Sequence, residues 1–429
     1  MSSLELTPRS FAPGPLRGTI RVPGDKSISH RALILGAAAP QPLEIRNLNP
    51  GRDVRATLEA LIALGARVSG SASDALTIHA TQLREPMGTL DCMNSGSTAR
   101  MMLGVCAGAD VPANFDGDDS LRRRPMEPVA AQLRAFGAKI VTTDGKLPLR
   151  IDGTPKIETR RFILVSPSAQ VKSALLLAGL FANTRIAISA DKHSRDHTER
   201  LLRYLGANIR WDGSTIELGS AIMNANPVTV CGDFSSAAFF LVAATVAPGS
   251  ELTIEGVGVN PTRTGLLDAL LQMGAAIELR NAREIAGEPV ADLYVRNAEL
   301  RGITIGPDIA LRAIDEIPVL AVAAAFARGE TKITGVRELR TKESDRVAAI
   351  ERLLGAVGIA VETAPNGLVI AGGTPRAAGA CIETHDDHRT AMAAATLAAG
   401  AGPLEIDSDA SIDVSFPSFL QTLGSVQRA

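Results

Sequence analysis

Six stretches of the chain are apolar nearly all the way round: SHRALILGAAA (29–39), TARMMLGVCAGA (98–109), QVKSALLLAGLFA (170–182), SSAAFFLVAATVA (235–247), EIPVLAVAAAFA (316–327) and RTAMAAATLAAG (389–400). A helix without a polar face belongs in an interior, so all six are predicted to be buried helices. After each comes a β-rich run and a polar loop: LEIRNLNPGRD, NFDGDDSLRRRP, IAISADKHSRD, LTIEGVGVNPTR, TKITGVRELRTKESD and LEIDSDASIDVS. An amphipathic stretch follows, such as VRATLEALIAL or RLLRYL, and it ends in a recurring phrase: ALGARV, AFGAKI, YLGANI, QMGAAI, AVGIAV and TLGSV. Helix, glycine cap and strand is the reading of that phrase.

The glycines of the phrase (Gly65, Gly137, Gly206, Gly274, Gly358 and Gly424) are 72, 69, 68, 84 and 66 residues apart. A near-constant period implies a repeated supersecondary unit. The expected fold class is therefore α/β: a two-domain inside-out α/β barrel, each domain made of three βαβαββ-type units around buried helices. The expected domains are 21–231, and 1–20 joined with 232–429, the N-terminal strand going with the second group. A length of 429 residues suits two cores of this size.

The totals narrow the chemistry. With 44 Lys and Arg against 46 Asp and Glu, the chain has no overall field for nucleic acid or an anionic membrane. Only 3% of residues are aromatic, which argues against base stacking. No apolar run approaches the ~20 residues that span a bilayer. Cys92, Cys106, Cys231 and Cys381 lack metal-ligand spacing, and the N-terminus lacks the regions of a secretory leader, so reduced thiols and a cytoplasmic location are expected.

The charged and hydroxyl residues gather where helices begin. DKSISHR (25–31), NSGSTAR (94–100), SPSAQVKS (166–173), IDEIP (314–318) and HDDHR (385–389) open interior helices. RRRP (122–125), SRDHTER (194–200) and TKESDR (341–346) mark amphipathic ones. A helix start has unpaired N–H groups and a positive dipole end, so it favours anions and disfavours Lys and Arg. Cations repeatedly placed there point to bound anions, with Lys26, Ser27 and Arg31 around one of them; Ser27 and Arg31 share a helical face. Ordinary capping by Asp25 or Ser27, with solvated cations, would account for that segment alone. PGDKS is not a Walker A loop, and no G-x-S-x-G is present. In HDDHR, adjacent His385, Asp386, Asp387 and His388 rarely point at one centre, so no metal is expected. Asp315 and Glu316, at the mouth of an apolar helix, and Glu343, between Lys342 and Arg346, are candidates for acid–base work or for a salt-bridge network.

Taken together and in order, PGDKSISHR, NSGSTAR, RRRPM, SAQVKSALLLAG, SRDHTE, DEIPVLAVAAA, LRTKESDR and DHRTAMA resemble the enolpyruvyl transferase family, on the side of its shikimate-using members, over essentially the whole chain. The resemblance implies helix starts facing a cleft between two three-repeat domains. It also implies transfer of the enolpyruvyl group of phosphoenolpyruvate to the 5-hydroxyl of shikimate-3-phosphate through a tetrahedral intermediate, with no metal or organic cofactor. Shikimate-3-phosphate contacts are implied for Lys26, Ser27, Arg31, Ser168, Ala169, Gln170, Arg195, Asp315 and Lys342. Phosphoenolpyruvate contacts are implied for Lys26, Gly96, Arg124, Gln170, Arg346 and Arg389. Asp315 resembles the base for the 5-hydroxyl and Glu343 the acid for the enol methylene, with Lys26 a rival.

Ala169, Val414 and Glu338 depart from residues found in many members and resemble a glyphosate-tolerant subgroup, whereas Gly96 implies sensitivity. The rivals are a UDP-N-acetylglucosamine enolpyruvyl transferase, which usually has a cysteine near residues 110–124 that DVPANFDGDDSLRRRP lacks; a non-catalytic phosphometabolite binder; and an RNA 3'-phosphate cyclase, for which His385 and His388 are weak nucleophiles. The expected partners are the two small substrates only, with no nucleic acid, no membrane and a monomeric chain.

Overall fold

The computed structural model describes residues 8–79, 82–165, 167–190, 194–212, 214–219 and 223–427; Ser166, the first residue of the SPSAQVKS motif, lies outside them. The six apolar stretches form the helices Lys26–Ala38, Gly96–Ala109, Ala169–Phe181, Phe234–Val246, Ile317–Ala325 and His388–Ala401. Every residue of Phe234–Val246 and of Ile317–Ala325 is buried. Five of the six start on a side-chain cap: Asp25, Ser95, Ser168, Asp233 and Asp387 each accept a hydrogen bond from a backbone N–H one turn on. The fifth helix begins instead with Pro318 in its first turn, where proline has no N–H that would need an acceptor.

Around these helices lie six small mixed sheets. In the second repeat, Leu90–Asp91 pairs parallel with Ala113–Asp116, which pairs antiparallel with Lys146–Ile151, itself antiparallel to Ile140–Thr143. The parallel pair brackets the interior helix and the hairpin follows the amphipathic one. That is the βαβαββ order, and the strict alternation of exposed and buried residues along Lys146–Ile151 shows one face turned inward. Five of the repeat glycines have positive φ (Gly65 99°, Gly137 122°, Gly206 83°, Gly274 99° and Gly358 80°) and end their helices. Gly424 departs from the pattern: the helix Phe419–Gln427 runs through it. Among the described residues no strand follows this helix.

The chain divides into two compact units. The first comprises 24–231 with 284–288; the second comprises 1–23, 232–283 and 289–429. In the first unit, Val228–Thr229 pairs parallel with Leu43–Arg46 and supplies the leading strand of the first repeat. In the second, Arg17–Arg21 pairs parallel with Glu251–Gly258 and leads the fourth repeat, which carries the boundary past residue 20 to Pro23. Arg9–Phe11 adds antiparallel to Leu404–Ile406 in the sixth.

The interior helices of the first unit touch backbone to backbone. A Cβ at Gly104 would lie 2.3 Å from the Ala174 carbonyl oxygen, and one at Gly108 would lie 2.4 Å from that of Ala178. Glycines one turn apart therefore let Gly96–Ala109 sit flush against Ala169–Phe181, and this fixes the relative height of two helix starts that carry site residues. Overpacking a rigid core costs about 1–3 kcal/mol and more where backbone must move. Gly108→Val is expected at about 3 kcal/mol in urea unfolding; a loss under about 1 kcal/mol would show that the contact is slack.

Candidate active site

In the first unit, Asp25 takes the cap of the first interior helix, so the Ser27 hydroxyl is not needed for it. Lys26 Nζ donates to Asp53 Oδ2 at 2.7 Å, Asp53 standing in the first turn of Arg52–Ala63. Arg31 is buried. Its Nε donates to Thr198 Oγ1 at 2.6 Å, Nη2 to Ser173 Oγ at 2.7 Å and Nη1 to the Ser27 carbonyl at 2.8 Å. Burial pulls its pKa down to about 10, against the pull of Glu199 and Asp25. Beside it His30, held at 2.7 Å by Thr57, has its pKa driven well below the usual value, first by burial and then by Lys26 and Arg31.

A second group gathers at the start of the helix Gly96–Ala109. Gln170 accepts from Arg100 Nη1 at 2.8 Å and donates from Nε2 to Ser97 Oγ at 3.0 Å. Arg124 Nη2 donates to Asn94 Oδ1 at 2.5 Å. A Cβ on Gly96 would lie 2.6 Å from Arg100 Nη1 and 3.6 Å from Arg124 Nη1, so the Arg100 guanidinium crowds this glycine and that of Arg124 lies in van der Waals reach of it. Ser168 caps the third interior helix, whose first residue is Ala169. Arg195 is part-buried just ahead of the helix His197–Tyr204, and its carbonyl accepts from Lys172 Nζ at 2.9 Å.

The second unit is built around Arg346, 1% exposed at the first position of Arg346–Gly355. Its guanidinium meets three carboxylates: Asp387 Oδ2 at 2.8 Å, Glu343 Oε2 at 2.6 Å and Asp315 Oδ1 at 3.8 Å. Burial opposes the charge, but Asp387 and Glu343 outweigh it and raise the Arg346 pKa. Burial likewise pushes Asp387 up, yet Arg346 wins and holds its carboxyl below the usual range. Lys342 Nζ lies 2.5 Å from Glu338 Oε1 and 3.8 Å from Asp315 Oδ1. Arg389 Nη1 donates to the Asp315 carbonyl at 2.7 Å and reaches Glu316 Oε1 at 3.4 Å. Glu316 also accepts from Arg263 Nη1 at 2.7 Å and from Ser235 Oγ at 2.5 Å.

Within each unit, then, the sequence-derived residues converge: Gly96, Arg124 and Gln170 in one, and Asp315, Lys342, Glu343, Arg346 and Arg389 in the other. The expectation that cations at helix starts need a bound anion narrows, because the chain's own carboxylates meet several of them. Asp53 serves Lys26, Asp387 serves Arg346, and Glu316 serves Arg389. Asp315 and Glu316, paired in the sequence, part company: Glu316 is a buried counter-ion, while the Asp315 side chain keeps 18% exposure. The acidic part of HDDHR is spent on structure: Asp387 caps and pairs, and His385 and Asp386 take φ of 50° and 56° in a tight turn. Among the described residues no cluster of three or more His, Cys, Asp or Glu could hold a metal ion. The reading of the sequence passed over Arg263, Asp53, Arg100 and Lys172 as site members. Arg100 and Lys172 stand inside the motifs, but Asp53, in the first turn of its helix, and Arg263, in a turn, have nothing local to mark them.

The sequence model of EPSP synthase (3-phosphoshikimate 1-carboxyvinyltransferase) matches residues 11–423. A 3-phosphoshikimate 1-carboxyvinyltransferase of Gloeobacter violaceus is 49% identical over 423 residues, covering 96% of this chain and 97% of that one. One from Acidithiobacillus ferrooxidans is 47% identical over 409 residues, 94% of each. The structure of EPSP synthase from Acinetobacter baumannii superposes with a TM-score of 0.86 at 37% identity, over 98% of both chains. The enolpyruvyl transferase NikO from Streptomyces tendae, at 18% identity and TM-score 0.75 over 97% of this chain and 96% of that one, shares the fold. The repeats, the two clusters and these likenesses agree, and the chain belongs to the EPSP synthase (3-phosphoshikimate 1-carboxyvinyltransferase) family.

Proposed function

We propose that the chain transfers the enolpyruvyl group of phosphoenolpyruvate to the 5-hydroxyl of shikimate-3-phosphate and releases phosphate. The observation that carries the mechanism is the Arg346 cluster, in which two carboxylates, Asp315 and Glu343, border a buried cation without being its principal counter-ion, a place that Asp387 takes. Asp315 removes the 5-hydroxyl proton as the oxygen bonds to carbon 2 of phosphoenolpyruvate. Glu343 protonates carbon 3, and a tetrahedral adduct forms. Loss of a proton from carbon 3 and of phosphate from carbon 2 gives the enol ether product. The cation-like character at carbon 2 is stabilised by the surrounding carboxylates.

Shikimate-3-phosphate is assigned to Lys26, Ser27, Arg31, Ser168, Ala169, Gln170, Arg195, Asp315 and Lys342. Phosphoenolpyruvate is assigned to Lys26, Gly96, Arg124, Gln170, Arg346 and Arg389, where Arg forks suit phosphate and carboxylate. Four unbridged cysteines support a reducing, cytoplasmic setting. No described helix is long and apolar enough to cross a membrane. The test is phosphate release from phosphoenolpyruvate with shikimate-3-phosphate or UDP-N-acetylglucosamine as acceptor: turnover is expected with the first alone, and turnover with the second alone overturns the reading. Gly96 adds no side chain of its own beside Arg100 and Arg124 to crowd a small inhibitor, so glyphosate is expected to inhibit; full activity at millimolar glyphosate would refute that.

A further inference from the structure

Lys172 and Glu199 form an ion pair of 2.6 Å with side chains only 5% and 1% exposed. A pair so deep gains little stability over apolar residues of the same volume. This one is also incompletely satisfied, since Glu199 Oε2 is buried without a hydrogen bond among the described residues. Its use lies in the other two contacts of the ammonium. Lys172 Nζ donates to the Arg195 carbonyl at 2.9 Å and reaches the Ser194 carbonyl at 3.4 Å. Three acceptors match the three N–H bonds of one ammonium, an arrangement no apolar residue reproduces.

The two ends of this tie are informative. Lys172 lies in the first turn of the third interior helix, two residues after Gln170, and Ser173 beside it accepts from Arg31. Glu199 is on the helix His197–Tyr204, next to Thr198, which also accepts from Arg31. The loop that carries Arg195 is thereby clamped to the helix start that carries Ser168, Ala169 and Gln170. We infer that Lys172 and Glu199 are positioning residues that set Arg195 for the phosphorylated acceptor: Lys172 holds the loop backbone, and Glu199 neutralises Lys172. This rests on the assignment of Arg195 to shikimate-3-phosphate.

The decisive variant is the double Lys172→Met/Glu199→Leu, which removes the pair without leaving a buried charge. Its thermal stability is expected near that of the parent, while KM for shikimate-3-phosphate rises at least tenfold and KM for phosphoenolpyruvate moves less than threefold. Unchanged KM values, or an equal rise in both, overturn the inference. Should the double variant not fold, Glu199→Gln keeps the size and one acceptor and is expected to raise the same KM about threefold; no change overturns the inference as well. Arg195→Met separates the inference from the reading beneath it. If Arg195→Met leaves the KM for shikimate-3-phosphate unchanged, the assignment of Arg195 fails. If it raises that KM and the Lys172 and Glu199 changes do not, only the positioning role fails. In the Arg195→Met background, the double change is expected to have no further effect on that KM.

Discussion

Asp315→Ala is expected to lower kcat on the order of 10³-fold, within the range usual for a positioned acid or base, while shikimate-3-phosphate still binds. The separation follows from where the carboxylate stands. Asp315 Oδ1 is 3.8 Å from Lys342 Nζ and equally far from Arg346 Nη1. Those are ion-pair distances longer than a hydrogen bond, so neither cation depends on Asp315 as its short-range partner. Lys342 keeps Glu338 and Arg346 keeps Asp387 and Glu343 when the side chain is cut back. The cradle should therefore survive the change, and what is lost is the proton acceptor. Glu343→Gln should behave alike in kcat but raise KM for phosphoenolpyruvate as well, because it removes the charge of the carboxylate 2.6 Å from Arg346. Phosphate release and shikimate-3-phosphate titration check both. Parent-like turnover in Asp315→Ala would remove the residue from the mechanism.

Sequence pattern made the repeat legible because both of its signals are local. An all-apolar helix such as Phe234–Val246 declares its burial by composition, and a positive-φ glycine such as Gly137 declares a helix end. The strands traded between repeats are another matter. Val228–Thr229 completes a sheet begun at Leu43, and its two residues hold no periodicity that could announce it. The site divides in the same way. Residues inside dense motifs, from Lys26 to Arg389, could be named from the chain. Partners remote in the chain could not: the Asp53 carboxylate that pairs with Lys26 lies 27 residues on, and the Ser235 hydroxyl that joins Arg389 lies 154 residues back. A lone acidic or hydroxyl residue at a helix start looks like a cap whether or not it also meets a distant cation, and Asp387 does both.

That double duty makes Asp387→Ala the second large effect. The change strands Arg346, 1% exposed, with Glu343 as its remaining close partner, and it uncaps the helix His388–Ala401. Breaking a buried pair from one side costs about 3–5 kcal/mol, and a lost cap about 1 kcal/mol. With Glu343 still in place, the sum expected at neutral pH is about 4 kcal/mol, read by urea unfolding. Asp387→Asn keeps an acceptor for the Arg389 N–H and should recover the cap portion alone. The difference between the two variants thus isolates the cap, and the gap between parent and Asp387→Asn isolates the charge. That gap must also depend on pH. The folded-state pKa of Asp387 lies below its unfolded value of about 3.9, so its stabilisation is complete above that value and is lost as pH falls through the folded one. The stability gap between parent and Asp387→Asn should therefore be flat from pH 5 to 8 and close only in strong acid. A gap that closed near pH 6 would mean that another group, and not this carboxylate, holds Arg346 in place.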